Sequence, residues 1–235
     1  MRKLWQTKWF GIQFSDFIDV DSVNIADEKF YEKFYEKFYE KFKLFDDLPK
    51  NWVSNKLNVA KDLLEFSKNY DEVLSIGCGN GIIEDYISNN SDKFILAIEP
   101  SNNSRWIENR KNIKFISGLF PKSIKNEKKY QFGYCSSIDY VFNDEQYGDF
   151  FKIVFDYEFD EFYLTEIFVP NDSIKGYIKL FIKQVLSVLG IYNKGQFWGY
   201  LRTIDEHLSF LKGAGFKKIE HGQHKHGSYW IKITR

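Results

Sequence analysis

The stretch Val73-Leu74-Ser75-Ile76-Gly77-Cys78-Gly79-Asn80-Gly81 decides the fold, together with Ile82-Ile83-Glu84-Asp85-Tyr86-Ile87 behind it. An apolar run of strand length ends in a tight glycine turn, and a helix-like segment follows at once. Strand, glycine loop and helix make the first unit of a Rossmann-like sheet. The glycines let the backbone turn sharply and approach a ligand where a Cβ would clash. The motif reads G-x-G-x-G. Ile82 occupies the last glycine of the dinucleotide fingerprint G-x-G-x-x-G, which disfavours a nicotinamide enzyme, and no phosphate-cradling G-x-x-x-x-G-K-[ST] is present.

A second strand, Phe94-Ile95-Leu96-Ala97-Ile98, ends in Glu99. That carboxylate lies about 20 residues beyond the first glycine, where such folds place an acid on a ribose diol. The glycine loop and the strand-end acid resemble the class I S-adenosylmethionine-dependent methyltransferases, loosely from about Asn51 to Arg235. The resemblance implies a Rossmann-like seven-stranded mixed sheet with its last strand antiparallel, helices on both faces, and S-adenosyl-L-methionine as cofactor. It implies a cofactor site of Ser75, Gly77, Cys78, Gly79, Gly81, Glu99, Pro100, Gly118, Leu119, Cys135 and Ser136. Two positions depart from the family pattern. Ser75 stands where the family often has an acid, and Leu119 stands where an acid often accepts from the adenine amino group.

Lys plus Arg and Asp plus Glu each number 33 in 235 residues, so no global electrostatic pull toward nucleic acid or anionic membrane is implied. The length suits one α/β domain with an appendage. Two cysteines, Cys78 and Cys135, give no disulfide framework and fit a reducing compartment. No apolar run is long enough to span a bilayer, and Met1-Arg2-Lys3-Leu4-Trp5 lacks a signal-peptide h-region. A cytoplasmic protein, monomer or homodimer, is the expectation.

Residues 1–50 read as a cap and 51–235 as the catalytic domain. Up to Asn24 the chain has no period; Trp5, Trp9, Phe10, Phe14 and Phe17 could form a strap or anchor a loose terminus. From Glu28 to Phe42 the unit Glu-Lys-Phe-Tyr recurs every four residues. Four residues turn a helix by about 400°, so the stripe Phe30, Phe34, Phe38, Phe42 drifts only about 40° per unit, with Tyr31, Tyr35 and Tyr39 beside it. Like charges at i,i+4 oppose this helix, so burial of the aromatic face must stabilise it. The segment is read as a packed amphipathic helix or as a lid, since several methyltransferases it resembles use an N-terminal helix as a lid.

Asn51–Phe66 is amphipathic and helical. Ile113-Lys114-Phe115-Ile116 is a third strand, Tyr130–Ser137 a fourth and Phe162–Phe168 a fifth, stopped by Pro170. Ser104–Asn109 and Ser173–Leu189 read as helices, Gly190–Tyr200 as a loop. Thr203-Ile204-Asp205-Glu206 is a capping box, with Gly215 as the helix stop. A terminal hairpin turns around His221–Gly227.

Methyl transfer to a hydroxyl needs a base within hydrogen-bond reach. Asp139, after the fourth strand, is the first candidate, balanced against a turn or capping role; His221 and His224 come second. His207 reads as a surface or packing residue. His221, His224 and His226 lack accompanying Cys or carboxylate ligands, so no metal is expected. Acceptor-binding candidates are Tyr140, Glu166, Trp198, Tyr200 and Arg202. Aromatics stack on sugars and Arg grips carboxylate or phosphate, while packing is the better reading of Trp198 and an exposed strand-end charge that of Glu166. The expectation is a small-molecule methyltransferase acting on oxygen, with a sugar or surface-glycan precursor as acceptor. The alternative is a non-catalytic binding module whose aromatic helix takes a partner.

Overall fold

The computed structural model describes residues 2–101, 106–125, 128–169 and 195–234. The segment from Pro170, including the expected helix Ser173–Leu189 and part of that at Ser104–Asn109, lies outside the described residues.

In chain order the strands are β1 (Arg2–Gln6), β2 (Lys8–Trp9), β3 (Ile12–Gln13), β4 (Glu72–Ile76), β5 (Phe94–Glu99), β6 (Ile113–Ser117), β7 (Phe132–Ser136), β8 (Glu161–Ile167), β9 (Gln196–Leu201), β10 (Lys218–Gln223) and β11 (Tyr229–Thr234). The described helices are α1 (Glu28–Lys41), α2 (Lys50–Phe66), α3 (Ile82–Asn90), α4 (Asp144–Tyr157) and α5 (Ile204–Gly213). Seven strands form one sheet in the order β10-β11-β8-β7-β4-β5-β6. β4 runs parallel to β5 and β7, and β11 is antiparallel to β8. The expected mixed sheet with an antiparallel last strand is the one observed.

Alternation along the strands sorts the core into two layers, as a sheet covered on both faces requires. Val73, Ile95, Ala97, Phe132, Tyr134 and Tyr163 face α1, α2 and α3. Leu74, Ile76, Leu96, Ile98, Cys135 and Leu164 face α4 and α5. The strap and α1 belong to the first layer, continuous with the sheet.

Helix α1 begins at Asp27, whose carboxylate accepts from the Phe30 N–H at 2.8 Å. Phe30, Phe34 and Phe38 are fully buried. Trp9 stacks on Phe34 with centroids 4.9 Å apart, and Phe14 meets Phe30 edge-on at 5.0 Å. Each buried Phe contributes about 1.5–3 kcal/mol, against a few tenths for each like-charge pair. Burial therefore wins. The strap is ordered by a hairpin at Phe10-Gly11, both at positive φ, which joins β2 to β3.

One expected loop is a strand. Gln196-Phe197-Trp198-Gly199-Tyr200-Leu201 pairs antiparallel with β1. Its aromatic residues suit a pleated surface, but the partner strand lies at the other end of the chain. The terminal turn is also shorter than expected, because His221, Gly222 and Gln223 belong to β10.

Candidate active site

The glycine loop leaves β4 at the carboxyl end of the sheet. Gly77, Gly79 and Gly81 all have φ between 58° and 80°, a region that costs other residues strain. The loop is tied to β5 by the Gly77 N–H, which donates to the Ile98 carbonyl at 2.7 Å. Glu99 completes the junction. Its Oε2 accepts from the Gly79 N–H at 3.0 Å and its Oε1 from the Ser101 hydroxyl at 2.9 Å. Burial pushes the Glu99 carboxyl up, and these bonds pull against it. The left-handed loop and the acceptor-only carboxylate beside it make a cradle that fits a nucleoside. Pro100 follows Glu99 directly; Gly118 hydrogen-bonds back to the Glu99 carbonyl at 2.9 Å, which brings the β6 end to the same edge, and Leu119 beside it is exposed.

Three of the expected cofactor residues are placed differently. Ser75 is buried beneath the loop and donates to Glu84 Oε1 at 2.5 Å; Tyr134 donates to the same oxygen at 2.6 Å. Cys135 faces the opposite layer, and the Ser136 hydroxyl points to Glu166, to which it donates at 2.9 Å. Glu84, missed at the sequence level, brings a carboxylate from α3 to Ser75, the position where the resembled family often carries an acid. Burial raises its pKa. A polar serine inside an apolar strand, with a glutamate on the buried face of the next helix, was the available signal.

A second polar cluster lies at the carboxyl ends of β7 and β8. Ser137 and Glu166 both hold left-handed backbone, at φ 56° and 59°. Strain of this kind, on the order of 1–3 kcal/mol each, concentrates at functional sites. Glu166 is buried, not exposed as expected. Its Oε2 accepts from Lys56 on α2, from Ser136, and from Ser137 at 2.6 Å. Burial pushes the carboxyl up, but Lys56 and the hydroxyls outweigh it and hold the pKa below the usual range. Among the described residues Oε1 carries no hydrogen bond. Lys56 escaped the sequence reading because nothing local distinguishes it from other helix-surface lysines.

The histidines separate. His221 is exposed on β10. His224 is buried and spent on both sides, its Nδ1 on Asp62 and its Nε2 on Thr165, each at 2.6 Å. His226 bonds Ser228 through Nε2 at 2.7 Å, while its Nδ1 is buried without a partner among the described residues. The imidazole with a spare nitrogen is thus the one the sequence reading passed over.

Asp139 is buried between α4 and α5, its Oδ2 3.7 Å from His207 Nε2. Burial raises its pKa to about 7, partly offset by its own backbone N–H and by Arg202. His207 is fully buried, not at the surface, and burial with Arg202 lowers it to about 3. Tyr147 bonds its Nδ1. Arg202, expected to grip an acceptor, is spent internally on the Asp139 and Phe142 carbonyls and on Asp144, at 2.8–3.3 Å. Trp198 is packed, stacked on Phe14 at 5.3 Å and on Tyr140 at 6.1 Å. Tyr200 packs edge-on against Phe197 at 5.1 Å.

No protein-family model matches the sequence, and no curated protein is significantly similar to it. Solved structures do resemble it. Human N-acetylserotonin methyltransferase in complex with SAM superimposes with TM-score 0.60 at 13% identity, covering 89% of this chain and 56% of that one. PigF with SAH gives TM-score 0.61 at 13% identity, covering 89% and 60%. Magnesium protoporphyrin IX methyltransferase from Synechocystis with bound SAH gives TM-score 0.60 at 12% identity, covering 89% of this chain and all of that one. The chain therefore spans less than two thirds of the first two proteins and the full length of the third. With the strand order and the glycine loop already described, these likenesses establish that the chain has the fold of the class I S-adenosylmethionine-dependent methyltransferases.

Proposed function

We propose that the protein is a methyltransferase that takes S-adenosylmethionine as donor and methylates an oxygen of a small molecule, with a sugar or surface-glycan precursor as acceptor class. The observation that carries the reading is the hydrogen bond from the Gly79 N–H to Glu99, which joins the glycine loop to a strand-end carboxylate in one cradle. Solved neighbours of the same fold hold SAM or SAH.

Bound there, the donor would supply a methyl group activated by its sulfonium. The chain's residues position and exclude water. Gly77, Cys78, Gly79 and Gly81 would line the donor, Glu99 would accept from its ribose, and Leu119 would lie on the adenine side. On the acceptor side, Glu166 Oε1 offers an ionised acceptor for a substrate hydroxyl, and Tyr140 lies within electrostatic reach of both Glu166 and Glu99. Asp139 is proposed as the base. A carboxyl held near pH 7 is matched to proton abstraction at neutral pH. His226, whose Nδ1 has no partner among the described residues, is the second candidate.

Calorimetric titration with S-adenosylmethionine and with NAD tests the reading. Binding of the first and not the second is expected. Binding of NAD alone would replace the reading with a nicotinamide one, and binding of neither would favour the partner-binding module.

A further inference from the structure

The Glu-Lys-Phe-Tyr repeat sets two rows side by side on α1, and the rows have different surroundings. The phenylalanines are buried among the strap and the sheet. The tyrosines lie one position on and about 100° further around the helix, and Tyr35 carries its hydroxyl to the glycine loop. A Cβ built on Gly79 would lie 2.9 Å from the Tyr35 hydroxyl. The Gly79 N–H in turn donates to Glu99 at 3.0 Å, so the phenol and the carboxylate flank one point of the cradle. The Tyr31 hydroxyl is buried beside the Tyr140 phenol, but no bond of full hydrogen-bond geometry reaches it among the described residues. Tyr31 and Tyr35 both lie within electrostatic reach of Glu99 and Tyr140. Tyr39, the third of the row, packs instead against Trp106, with centroids 5.1 Å apart.

Buried phenols ordinarily find a partner. An ionised carboxylate only accepts, whereas a phenol donates and accepts. A ligand hydroxyl set between them donates to Glu99 and accepts from a tyrosine, which satisfies both. A phosphate or carboxylate there would be repelled by Glu99. An ammonium would leave both phenol protons without an acceptor. Two adjacent ligand hydroxyls match two phenols and two carboxylate oxygens.

We infer that α1 is a fixed wall of the donor site, and that the Tyr35 and Tyr31 hydroxyls share with Glu99 the binding of a nucleoside's ribose diol. This rests on the methyltransferase reading. It goes beyond it by assigning the tandem repeat a ligand-binding row as well as a core-forming one.

The test is calorimetric titration of the full chain with S-adenosylhomocysteine and with 5′-methylthioadenosine, which keeps the ribose and lacks the amino-acid end. Tyr35→Phe and Tyr31→Phe preserve the buried rings, and thermal unfolding checks that they fold. Each is expected to weaken both ligands roughly 5- to 10-fold, the value of one hydrogen bond, while Tyr39→Phe leaves both unchanged. Wild-type affinity in both Tyr35→Phe and Tyr31→Phe, or tighter binding from relief of a block, would overturn the inference. So would a loss seen with S-adenosylhomocysteine alone, which would place the hydroxyls at the amino-acid end. Failure of the wild-type chain to bind either nucleoside is a separate result that defeats the methyltransferase reading, and this inference with it.

Discussion

Two buried glutamates end two strands of the same sheet, and their surroundings push them in opposite directions. Glu99 on β5 is held by neutral donors, a backbone N–H and a serine hydroxyl, so burial prevails and its pKa rises. Glu166 on β8 has a lysine against it, so its pKa falls in spite of burial. On the β4–β5 side one oxygen holds the Gly79 N–H of the glycine loop and the other the Ser101 hydroxyl. On the β7–β8 side three donors crowd Oε2, and Oε1 has no hydrogen bond among the described residues. The first arrangement orders the loop of the proposed donor cradle; the second holds a carboxylate ionised by a lysine. The difference is the one expected if the first is the donor side and the second the acceptor side, as proposed.

The largest expected effect separates chemistry on the acceptor side from binding on the donor side. Asp139→Asn keeps the shape of the side chain and removes its basicity. Turnover, once an acceptor is found, is expected to fall roughly 10²–10⁴-fold, with S-adenosylmethionine affinity unchanged by calorimetry. If turnover survives and falls instead in His226→Gln, the imidazole is the base. If it survives both, the acceptor ionises unaided and oxygen methylation of a sugar is the wrong class.

Lys56→Met sharpens the contrast between the glutamates. Removing one partner of a buried pair leaves the other charge uncompensated, at about 3–5 kcal/mol. A lower midpoint of thermal unfolding is expected, with most of the loss recovered in the double variant Lys56→Met, Glu166→Gln. Equal losses in the single and double variants would show that Lys56 matters through packing on Trp52, over whose ring its Nζ lies at 5.5 Å. On the donor side, Glu99→Ala removes no ion pair, and the expected cost is smaller. A bond to a charged group is worth about 1.5–3 kcal/mol, read as weaker S-adenosylmethionine affinity. Wild-type affinity in the folded variant would take the ribose away from Glu99.

The same contrast explains what the sequence made legible. The proposed donor side is local. Residues 73 to 99 hold strand, loop, helix and acid in consecutive order, and glycines at fixed spacing have few structural uses. The repeat helix and the capped α5 were legible for the same reason, since periodicity and capping are short-range. The proposed acceptor side is assembled over long separations: Lys56 reaches Glu166 across 110 positions and His224 reaches Asp62 across 162. β9 became a strand because Arg2–Gln6 came to pair with it. Tertiary context also decided Arg202, whose guanidinium could have served a substrate but is consumed by carbonyls brought to it by the turn after β7.

In the wild-type protein the smallest effect comes from Asp139 and His207, because their opposite slopes cancel. The Asp139 pKa is raised from 3.8 to about 7, so the folded state holds a proton that the unfolded state releases between those values. Its contribution is complete below the unfolded pKa and is lost as pH rises toward 7. The His207 pKa is lowered from 6.5 to about 3, so the unfolded state takes up a proton that the folded state refuses. Its contribution is complete above pH 6.5 and is lost as pH falls. Each slope is at most about 1.4 kcal/mol per pH unit, and between roughly pH 4 and 6.5 they cancel. The wild-type protein should therefore show a flat component there. Asp139→Asn should leave only the histidine slope, so that stability falls on acidification from pH 6.5. His207→Gln should leave only the aspartate slope, so that stability falls as pH rises from 4 to 7. Urea unfolding midpoints at half-unit pH steps measure both. Parallel profiles for the two variants would mean that the pair titrates as one unit, with Asp139 sharing its proton with His207 and unavailable as an independent base.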